Sequence, residues 1–510
     1  MLSLVSASVS VYSAVIGGVL FSVVSQIVVA MTYGAGEEVD ALYGAQTLPI
    51  LAKVIFTSGS VFILVPAFIG FRERGGNKDA RQDIGEILLT LSLGILFINF
   101  LICIFADVLI QITCPGFTSQ QHLLAVKIVY LEAFSTVCMG VALLVTSLHH
   151  IKGSFAAASF CATFPTIGVM LGSLLLSGPY GIFGLVIGEA TGAFVWMMFL
   201  LPIVGQKGEA KLPAVVFSKK ALRTYALMAP FVLFAFLQNS NVLIDRYFAS
   251  SLGEGKIAYL TYSLRLSTVL SNILASGIAV VLYPTISVAV ARSNFDDFKK
   301  YLSLSIKIVG VISIPVVLTT LPACLNIVQV LFERGKFTAQ DSMGLLKVMP
   351  FYLLSAGLMA LGQVIARGFY ALKDTWTPLW LGVAGVMVYC CSCKVLIPFF
   401  DYTGIGLSFL FYWMFTIGGL GILLRRKVGC RGKGVVLTMI RALGAATPTA
   451  LGNYLTIEML DLHGKLGILS TVGWIMVYFF ITSFAVGIEE VKVIRARACK
   501  FIGAILRANA

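Results

Sequence analysis

The sequence predicts an all-α polytopic membrane protein with about 14 transmembrane helices, built as two pseudo-symmetric six-helix lobes followed by two C-terminal helices. Of its 510 residues, 58% are hydrophobic and only 12% are charged. Such a composition needs an apolar solvent around most of the chain. The apolar residues also fall into successive stretches of roughly 20 or more, the length that crosses a bilayer, and features of the first half of the chain recur in the second.

The spans are separated by short polar breaks. Gly and Pro residues inside them are interpreted as kinks, because a spanning chain must satisfy its backbone hydrogen bonds internally. The first stretch lacks a basic flank and exceeds the length of a signal peptide, so it is expected to be retained. The predicted spans are 10–32, 44–71, 86–112, 124–147, 155–177, 180–203, 225–248, 258–288, 303–331, 344–371, 377–399, 403–424, 434–457 and 465–487.

Lys and Arg residues concentrate in every second loop, and the first such loop holds Arg72, Arg74, Lys78 and Arg81. This asymmetry predicts that both termini are cytoplasmic. The formal net charge of +14 is therefore mostly a feature of the inner membrane surface. Because basic residues do not interleave with aromatic residues on a soluble domain, nucleic acid is not expected as a partner.

An internal repeat sets the domain organisation. "YGAGEEVDALYGAQTLPI" is similar to "SLGEGKIAYLTYSLRL", and "PGFTSQQ" is similar to "GKFTAQD", at a separation of roughly 218 to 220 positions. Six spans in each half make both halves enter the membrane from the same side, and a cavity between such bundles permits alternating access. The predicted segments are an N-lobe at 1–203, a cytoplasmic linker at 204–223, a C-lobe at 224–427, two further spans within 428–487, and a basic amphipathic cytoplasmic tail at 488–510.

The loop "FERGKFTAQDS" is expected to connect two spans on the extracytoplasmic side. Gly335 would make its turn, and Thr338 would cap the following helix with Asp341 at the third helical position. The repeat-related loop "PGFTSQQH" would use Thr118 as its cap.

Five motifs in order, "GAGEEVDAL", "LVPAF", "CPGF", "LFERGKFTAQDS" and "ARGFYALKDTWTPL", resemble the MurJ (MviN) family of lipid II flippases in the multidrug/oligosaccharidyl-lipid/polysaccharide exporter superfamily. The resemblance covers nearly the whole chain. It implies translocation of the undecaprenyl-diphosphate-linked peptidoglycan precursor from the inner to the outer leaflet of the bacterial inner membrane. Expected partners are lipid II or a related polyprenyl-diphosphate saccharide, membrane lipids and the cell-wall synthesis machinery.

Moving a diphosphate through hydrocarbon calls for cations inside the protein. Arg265 matches an arginine that the family places in its central cavity, where a guanidinium can bind a diphosphate in a bidentate manner. Lys53 stands where the family carries an arginine, about a dozen residues or roughly 18 Å into the second helix, too deep for easy snorkelling. These two residues are the predicted substrate-binding residues. A snorkelling arginine at the helix end is the simpler interpretation of Arg265.

Four carboxylates are candidates for gating or ion coupling. Asp40 matches an acidic residue of the family at the mouth of the second helix, although a charge favouring the helix dipole explains it equally well. Glu132 and Glu189 lie inside predicted spans and are expected as proton carriers, as partners of Lys53, or as protonated structural residues. Some relatives use a sodium site built by carboxylate and amide side chains on the seventh and eleventh helices. The seventh helix offers Asp245 here, but the eleventh offers only "VYCCSCK", so pairing of Asp245 with a neighbouring region or with Arg265 is the alternative.

The chain departs from the family in its first helix, "GGVLFSVVSQIV", which has no arginine. The cavity is therefore expected to be less cationic. Alternative functions are export of another lipid-linked saccharide or of a drug, and a degenerate non-transporting scaffold for envelope assembly. An enzyme is not expected, because no P-loop, nucleophile elbow or metal-ligand spacing occurs. No cofactor is expected beyond Na⁺ or H⁺ coupling or the membrane potential, and "YCCSC" is not expected to bind a metal.

Overall fold

The computed structural model describes residues 2–54, 78–151, 160–201, 236, 239–429 and 433–484. All regular structure in these residues is helical, so the all-α prediction is confirmed. The predicted linker at 204–223 and the tail at 488–510 lie outside the described residues, and the predicted domain boundaries stay predictions.

Sixteen helices are labelled here in chain order over the described residues. Their bounds are α1 Leu2–Tyr33, α2 37–54, α3 Lys78–Ile104, α4 Ala106–Thr113, α5 Ser119–Ile151, α6 Phe164–Leu175, α7 Phe183–Leu200, α8 239–249, α9 Lys256–Ala291, α10 Phe295–Thr320, α11 Cys324–Phe332, α12 Ala339–Ala371, α13 Trp376–Phe400, α14 Tyr402–Val428, α15 Lys433–Met459 and α16 Lys465–Phe484.

Within the described residues, nine helical segments are long and apolar enough to cross a membrane. The apolar helices Gly17–Tyr33 and Phe164–Leu175 are shorter. Proline lies inside α10 at Pro315 and inside α12 at Pro350 without ending either helix, as predicted. The chain is thus a multi-pass membrane protein, while the predicted number of spans stays a prediction.

The repeat is visible in the helix geometry. Both α5 and α12 have 33 residues, and they start about 220 positions apart. Thr118 caps α5, since its hydroxyl accepts from the Gln121 amide N–H at 3.3 Å while its own N–H donates to Gln121 Oε1 at 3.0 Å. Gly181 and Asp401, which precede equivalent helices, share a left-handed backbone with φ of 56° and 53°. The two halves therefore repeat in backbone as well as in sequence.

The described chain divides into two compact units. Unit 1 comprises Met1–Ala258 and Arg334–Thr338, and unit 2 comprises Tyr259–Glu333 and Ala339–Ala510. In unit 1 the helices α6 and α7 cross through glycines: a Cβ on Gly188 would lie 2.2 Å from the Gly168 carbonyl oxygen. The apolar core beside this crossing joins α5 to α7 through residues such as Met139 and Trp196.

In unit 2 an apolar core joins α9, α10, α12 and α14, with Phe298 and Phe369 fully buried. The last two helices are fixed to this core by polar contacts. The Asn453 amide donates to the Thr319 carbonyl at 2.9 Å and to the Thr471 hydroxyl at 3.0 Å, and Asn326 Oδ1 accepts from the Gly464 N–H at 2.8 Å. Hydrogen bonds of this kind hold helices together where lipid offers little hydrophobic driving force.

Candidate functional site

Asp40 caps the start of α9. Its Oδ2 accepts from the Gly255 N–H at 2.7 Å and its Oδ1 from the Ala258 N–H at 2.8 Å. The side chain is buried. Burial raises the pKa of Asp40 to about 7, against the opposing effect of the two N–H donors and of Arg246. The carboxyl thus satisfies N–H groups that the first turn of a helix leaves without partners.

Arg246 lies beside this cap. Its guanidinium carbon is 5.8 Å from the centre of the Tyr43 ring, and its Nη1 donates to the Ile257 carbonyl at 3.5 Å. Arg246 and Asp245 are both buried. Arg246 therefore belongs to the surroundings of Asp40.

The loop that contains Gly335 closes the end of α1. The Lys336 N–H donates to the Met31 carbonyl at 2.8 Å, one of the last carbonyls of α1, which have no partner within the helix. Gly335 has φ of 60°, and a Cβ there would lie 2.3 Å from that same oxygen. The predicted turn at Gly335 is confirmed, and its docking role could not be predicted from spacing.

A second polar group, here named the carboxyl cluster, consists of Gln46, Lys53, Glu132 and Glu189 in unit 1. Gln46 Nε2 donates to Glu132 Oε1 at 2.7 Å and to Glu189 Oε2 at 3.1 Å. Glu132 is fully buried and Glu189 is partly buried. Lys53 Nζ approaches the Met139 sulfur at 3.3 Å and interacts electrostatically with Glu132.

Of the predicted residues, the structure therefore brings Lys53, Glu132 and Glu189 together. Gln46, which joins the two carboxylates, was missed by the sequence analysis. A signal was available, because Gln46 precedes Lys53 by two helical turns and so lies on the same face of α2. Asp40 lies at the start of α2 with different partners.

Arg265 lies in unit 2 and is exposed in the protein alone. It is on α9, about 14 Å from the helix start, and the buried residues Ser263 and Ser267 lie on another face. Two turns further along that exposed face is Asn272, whose Oδ1 accepts from Gln363 Nε2 at 3.4 Å; Gln363 also donates to Ser271 at 3.1 Å. The predicted pairing of Asp245 with Arg265 stays a prediction.

The eleventh predicted span corresponds to α13. Its Tyr389 is buried against Phe409, with ring centres 6.1 Å apart, and Cys393 is buried nearby on the same helix. Among the described residues, no group of three or more His, Cys, Asp or Glu side chains could hold a metal ion. The sodium site stays a prediction.

Repeated halves of apolar helices with charged side chains inside the spans define a polytopic membrane transporter. A family model described as lipid II flippase MurJ matches residues 29–478, so the chain belongs to the MurJ family. It is 26% identical over 417 residues to the probable lipid II flippase MurJ of Vibrio cholerae, covering 76% of this chain and 77% of that protein. It is 24% identical to the probable lipid II flippase MurJ of Rhizobium tropici, covering 97% and 96%.

Solved structures show the same fold. A lipid II flippase MurJ in an inward closed conformation is similar with a TM-score of 0.79 and 18% identity, covering 93% of this chain and 99% of that one. An inward-facing multidrug resistance MATE family transporter of the MOP superfamily is similar with a TM-score of 0.66 and 15% identity, covering 81% and 94%. The predicted family is confirmed.

Proposed function

We propose that this protein is a lipid II flippase that serves peptidoglycan synthesis and cell-wall biogenesis. It moves the undecaprenyl-diphosphate-linked precursor from the inner to the outer leaflet of the bacterial inner membrane. The observation that carries the proposal at the level of residues is the exposed guanidinium of Arg265 on α9, inside the predicted span 258–288. A guanidinium can bind a diphosphate through two parallel hydrogen bonds.

Lys53 is the second cation assigned to the substrate. It lies on α2 and is part of the carboxyl cluster, and as a point charge it can bind a phosphate from several directions. The first helix supplies no arginine, so these two residues would bear a larger part of the headgroup binding than in relatives with arginines there.

Asp40 is assigned to gating. Its two hydrogen bonds hold the start of α9 against the start of α2. Their loss frees the N-terminus of α9. Alternating access then exposes the headgroup site first to the cytoplasm, where both termini lie, and then to the outer face. The transport is driven by an ion gradient or the membrane potential, without a bound cofactor, and no catalytic step is involved.

The test is rescue of a bacterium depleted of its own lipid II flippase. The variants are Arg265→Ala, Arg265→Lys and Lys53→Ala, compared at matched membrane levels with Lys394→Ala, which removes an exposed charge from α13. Wild type and Lys394→Ala should rescue growth, both alanine variants should fail, and Arg265→Lys should rescue poorly because lysine lacks the planar fork.

Two outcomes would overturn the proposal. A well-expressed wild type that does not rescue would favour another lipid-linked saccharide, a drug, or a scaffold role. Full rescue by Arg265→Ala would remove the assigned phosphate contact. Counting fluorescent lipid II that crosses proteoliposome membranes would separate a transport defect from a defect in envelope assembly.

A further inference from the structure

We infer that the carboxyl cluster of unit 1 is a proton-binding site that couples proton movement to transport. Glu132 and Glu189 share one proton, Gln46 holds them together and Lys53 balances the remaining charge. The inference rests on the proposed function for the transport step, while proton binding itself can be measured without any transport.

The Gln46 amide brings the two carboxyl groups together. One NH₂ group has two N–H bonds, and they are directed to Glu132 at 2.7 Å and to Glu189 at 3.1 Å. Because a single nitrogen contacts an oxygen of each carboxyl, the two groups are close neighbours. When like charges lie close together in a buried place, binding of one proton relieves their repulsion.

Charged groups of two neighbouring helices face Glu132. Among the described residues, these are Lys53 from α2 and Glu189 from α7. The helix α3 approaches through Asn99, whose Oδ1 accepts from the Thr136 hydroxyl at 3.0 Å. The other acidic, Lys and His residues with described side chains on these helices and on α4 are Glu37, Glu38, Asp40, Glu86, Asp107, His122, Lys127 and His149. Along its own helix Lys127 is five residues, or about 7.5 Å, from Glu132, and the others on α2 and α5 are about 9 Å or more from the nearest cluster residue.

When all three groups are ionised, Lys53 and the two carboxylates carry one net negative charge. Such a charge is costly within the span Ser119–Ser147. A single bound proton brings the cluster to neutrality. The step needs only the formation of an O–H bond at a carboxylate oxygen with a proton from water, and the reverse step returns the proton.

The cluster and its surroundings also contain buried polar atoms that have no hydrogen-bond partner among the described residues. Glu132 Oε2 is buried and receives no hydrogen bond from the described residues. The Ser135 hydroxyl is also fully buried without a partner there. Ser135 is one turn from Glu132, and Met139, which contacts Lys53 Nζ, is one turn further on the same face of α5. These orphan atoms are suited to a proton and to a water that delivers it.

A sodium ion is the competing occupant, and the contacts disfavour it. Sodium needs oxygen ligands, whereas Gln46 presents its NH₂ group to both carboxyls. Lys53 already supplies a positive charge to Glu132, and a second cation would be repelled.

The coupling follows from competition for Lys53. When the pair is fully ionised, its two charges attract the ammonium strongly. Once a proton binds, that attraction weakens, and Lys53 becomes available to a diphosphate. Proton binding and headgroup binding at Lys53 should therefore favour one another, as linkage requires of two coupled sites.

The first test is an infrared pH titration of the purified protein in lipid nanodiscs, following the C=O stretch of protonated carboxyl groups. Wild type should retain this band at neutral pH, and Glu132→Gln and Glu189→Gln should each lose all of it except the part that Asp40, with its pKa of about 7, contributes. The matched control is Glu458→Gln, which removes an exposed carboxyl from α15 and should leave the band unchanged. A wild-type band no larger than that of Glu132→Gln at neutral pH would overturn the proton site.

The second test measures lipid II flipping in proteoliposomes with an imposed pH gradient in sodium-free buffer. Wild type should flip about tenfold faster with the gradient than without it, and Glu132→Gln should be insensitive to the gradient. Acceleration by a sodium gradient instead would identify sodium as the coupling ion and overturn the inference. A normal infrared titration with no flipping by wild type would leave the proton site in place and contradict the proposed function.

Discussion

The two repeated halves carry different chemistry at equivalent positions. Glu132 on α5 and Glu189 on α7 correspond, about 220 positions later, to Tyr352 on α12 and Phe409 on α14. Where the N-terminal half has two carboxyls bridged by an amide, the C-terminal half has two stacked rings whose centres are 4.9 Å apart. The repeat thus preserves helix length, whereas the equivalent central positions hold carboxyl groups in the N-terminal half and aromatic rings in the C-terminal half.

The same divergence occurs on the paired helices α2 and α9. Gln46 corresponds to Arg265 and Asp40 to Tyr259, about 219 positions later. Asp40 accepts two backbone N–H groups, whereas the Tyr259 hydroxyl donates to Asp341 at 2.9 Å. One half therefore binds its charge internally, and the other presents a cation at the surface of its helix. Lys53, which is also assigned to the substrate, lies in the same half as the carboxyl pair, so the proposed proton site and one of the two proposed phosphate contacts share a lobe.

The largest expected effect is a loss of stability when the aromatic pair of the C-terminal half is disrupted. Phe409 packs on Tyr352, Tyr389, Tyr412 and Trp413 and is almost fully buried. Phe409→Ala should destabilise the protein by about 3–5 kcal/mol, because a large ring leaves a cavity. Thermal unfolding in detergent measures this effect. If Phe409→Ala is stable but removes the pH-gradient response, the assignment of proton coupling to the N-terminal half is wrong.

A slightly smaller effect is expected at the glycine crossing of α6 and α7. Gly188→Val should cost about 3 kcal/mol or more, since its side chain would meet the Gly168 backbone. The equivalent residue in the other half is Ser408, whose hydroxyl only donates to the Gly404 carbonyl at 2.7 Å within its own helix. Ser408→Ala should cost about 1 kcal/mol at most. Equal melting temperatures for the two variants would contradict the close backbone contact.

The third prediction concerns Asp40, which lies before the predicted span 44–71. Its folded-state pKa of about 7 is above the ordinary value of 3.8, so the folded state holds a proton that the unfolded state has lost at intermediate pH. Stability from this group is full below about pH 4 and is lost as the pH rises through about 7. Melting temperatures of wild type should therefore fall across that range relative to Asp40→Asn, which cannot titrate.

Tyr259→Phe, at the equivalent position, serves as the control for Asp40. It removes one hydrogen bond and should cost about 1 kcal/mol at every pH. A wild-type profile parallel to that of Asp40→Asn would show that the carboxyl titrates normally and that the caps at Gly255 and Ala258 do not depend on its charge.

Much of the fold could be predicted from the sequence because its signals are local. Span lengths, the cap at Thr118 and the turn at Gly335 each depend on a few adjacent residues and on the dimensions of the bilayer. The resemblance to the MurJ family came from motifs of the same local kind.

The sites were only partly predictable. Glu132 and Glu189 could be predicted as candidates because they are carboxylates inside predicted spans. Their common contact with Gln46 joins three helices. The spacing of residues within one helix does not encode such a contact. The capping role of Asp40 likewise depends on a segment that begins more than 200 positions later. Distances across helices are set by packing, as at Gly168 and Gly188, where two backbones approach so closely that only glycine fits.

The prediction with the smallest expected effect concerns a carboxylate of the C-terminal half that lies outside its aromatic centre. Asp374, between α12 and α13, is paired with Lys427 and accepts from the Thr377 N–H at 3.0 Å and hydroxyl at 2.6 Å. Partial burial alone would raise its pKa, but the hydrogen bonds from Lys427 and Thr377 outweigh it and lower the pKa of Asp374 to about 2. The stability it contributes is present above about pH 4 and is lost as the pH falls to about 2.

Asp374→Asn should therefore cost about 1 kcal/mol at neutral pH, since the pair is partly exposed and screened by salt, and the difference from wild type should shrink on acidification. Asp296→Asn is the control, because that carboxylate is exposed and 3.8 Å from Lys299. It should leave the melting temperature unchanged. If Asp374→Asn instead altered the response of flipping to a pH gradient near neutrality, the C-terminal half would take part in coupling, and the division between a titratable and an apolar lobe would fail.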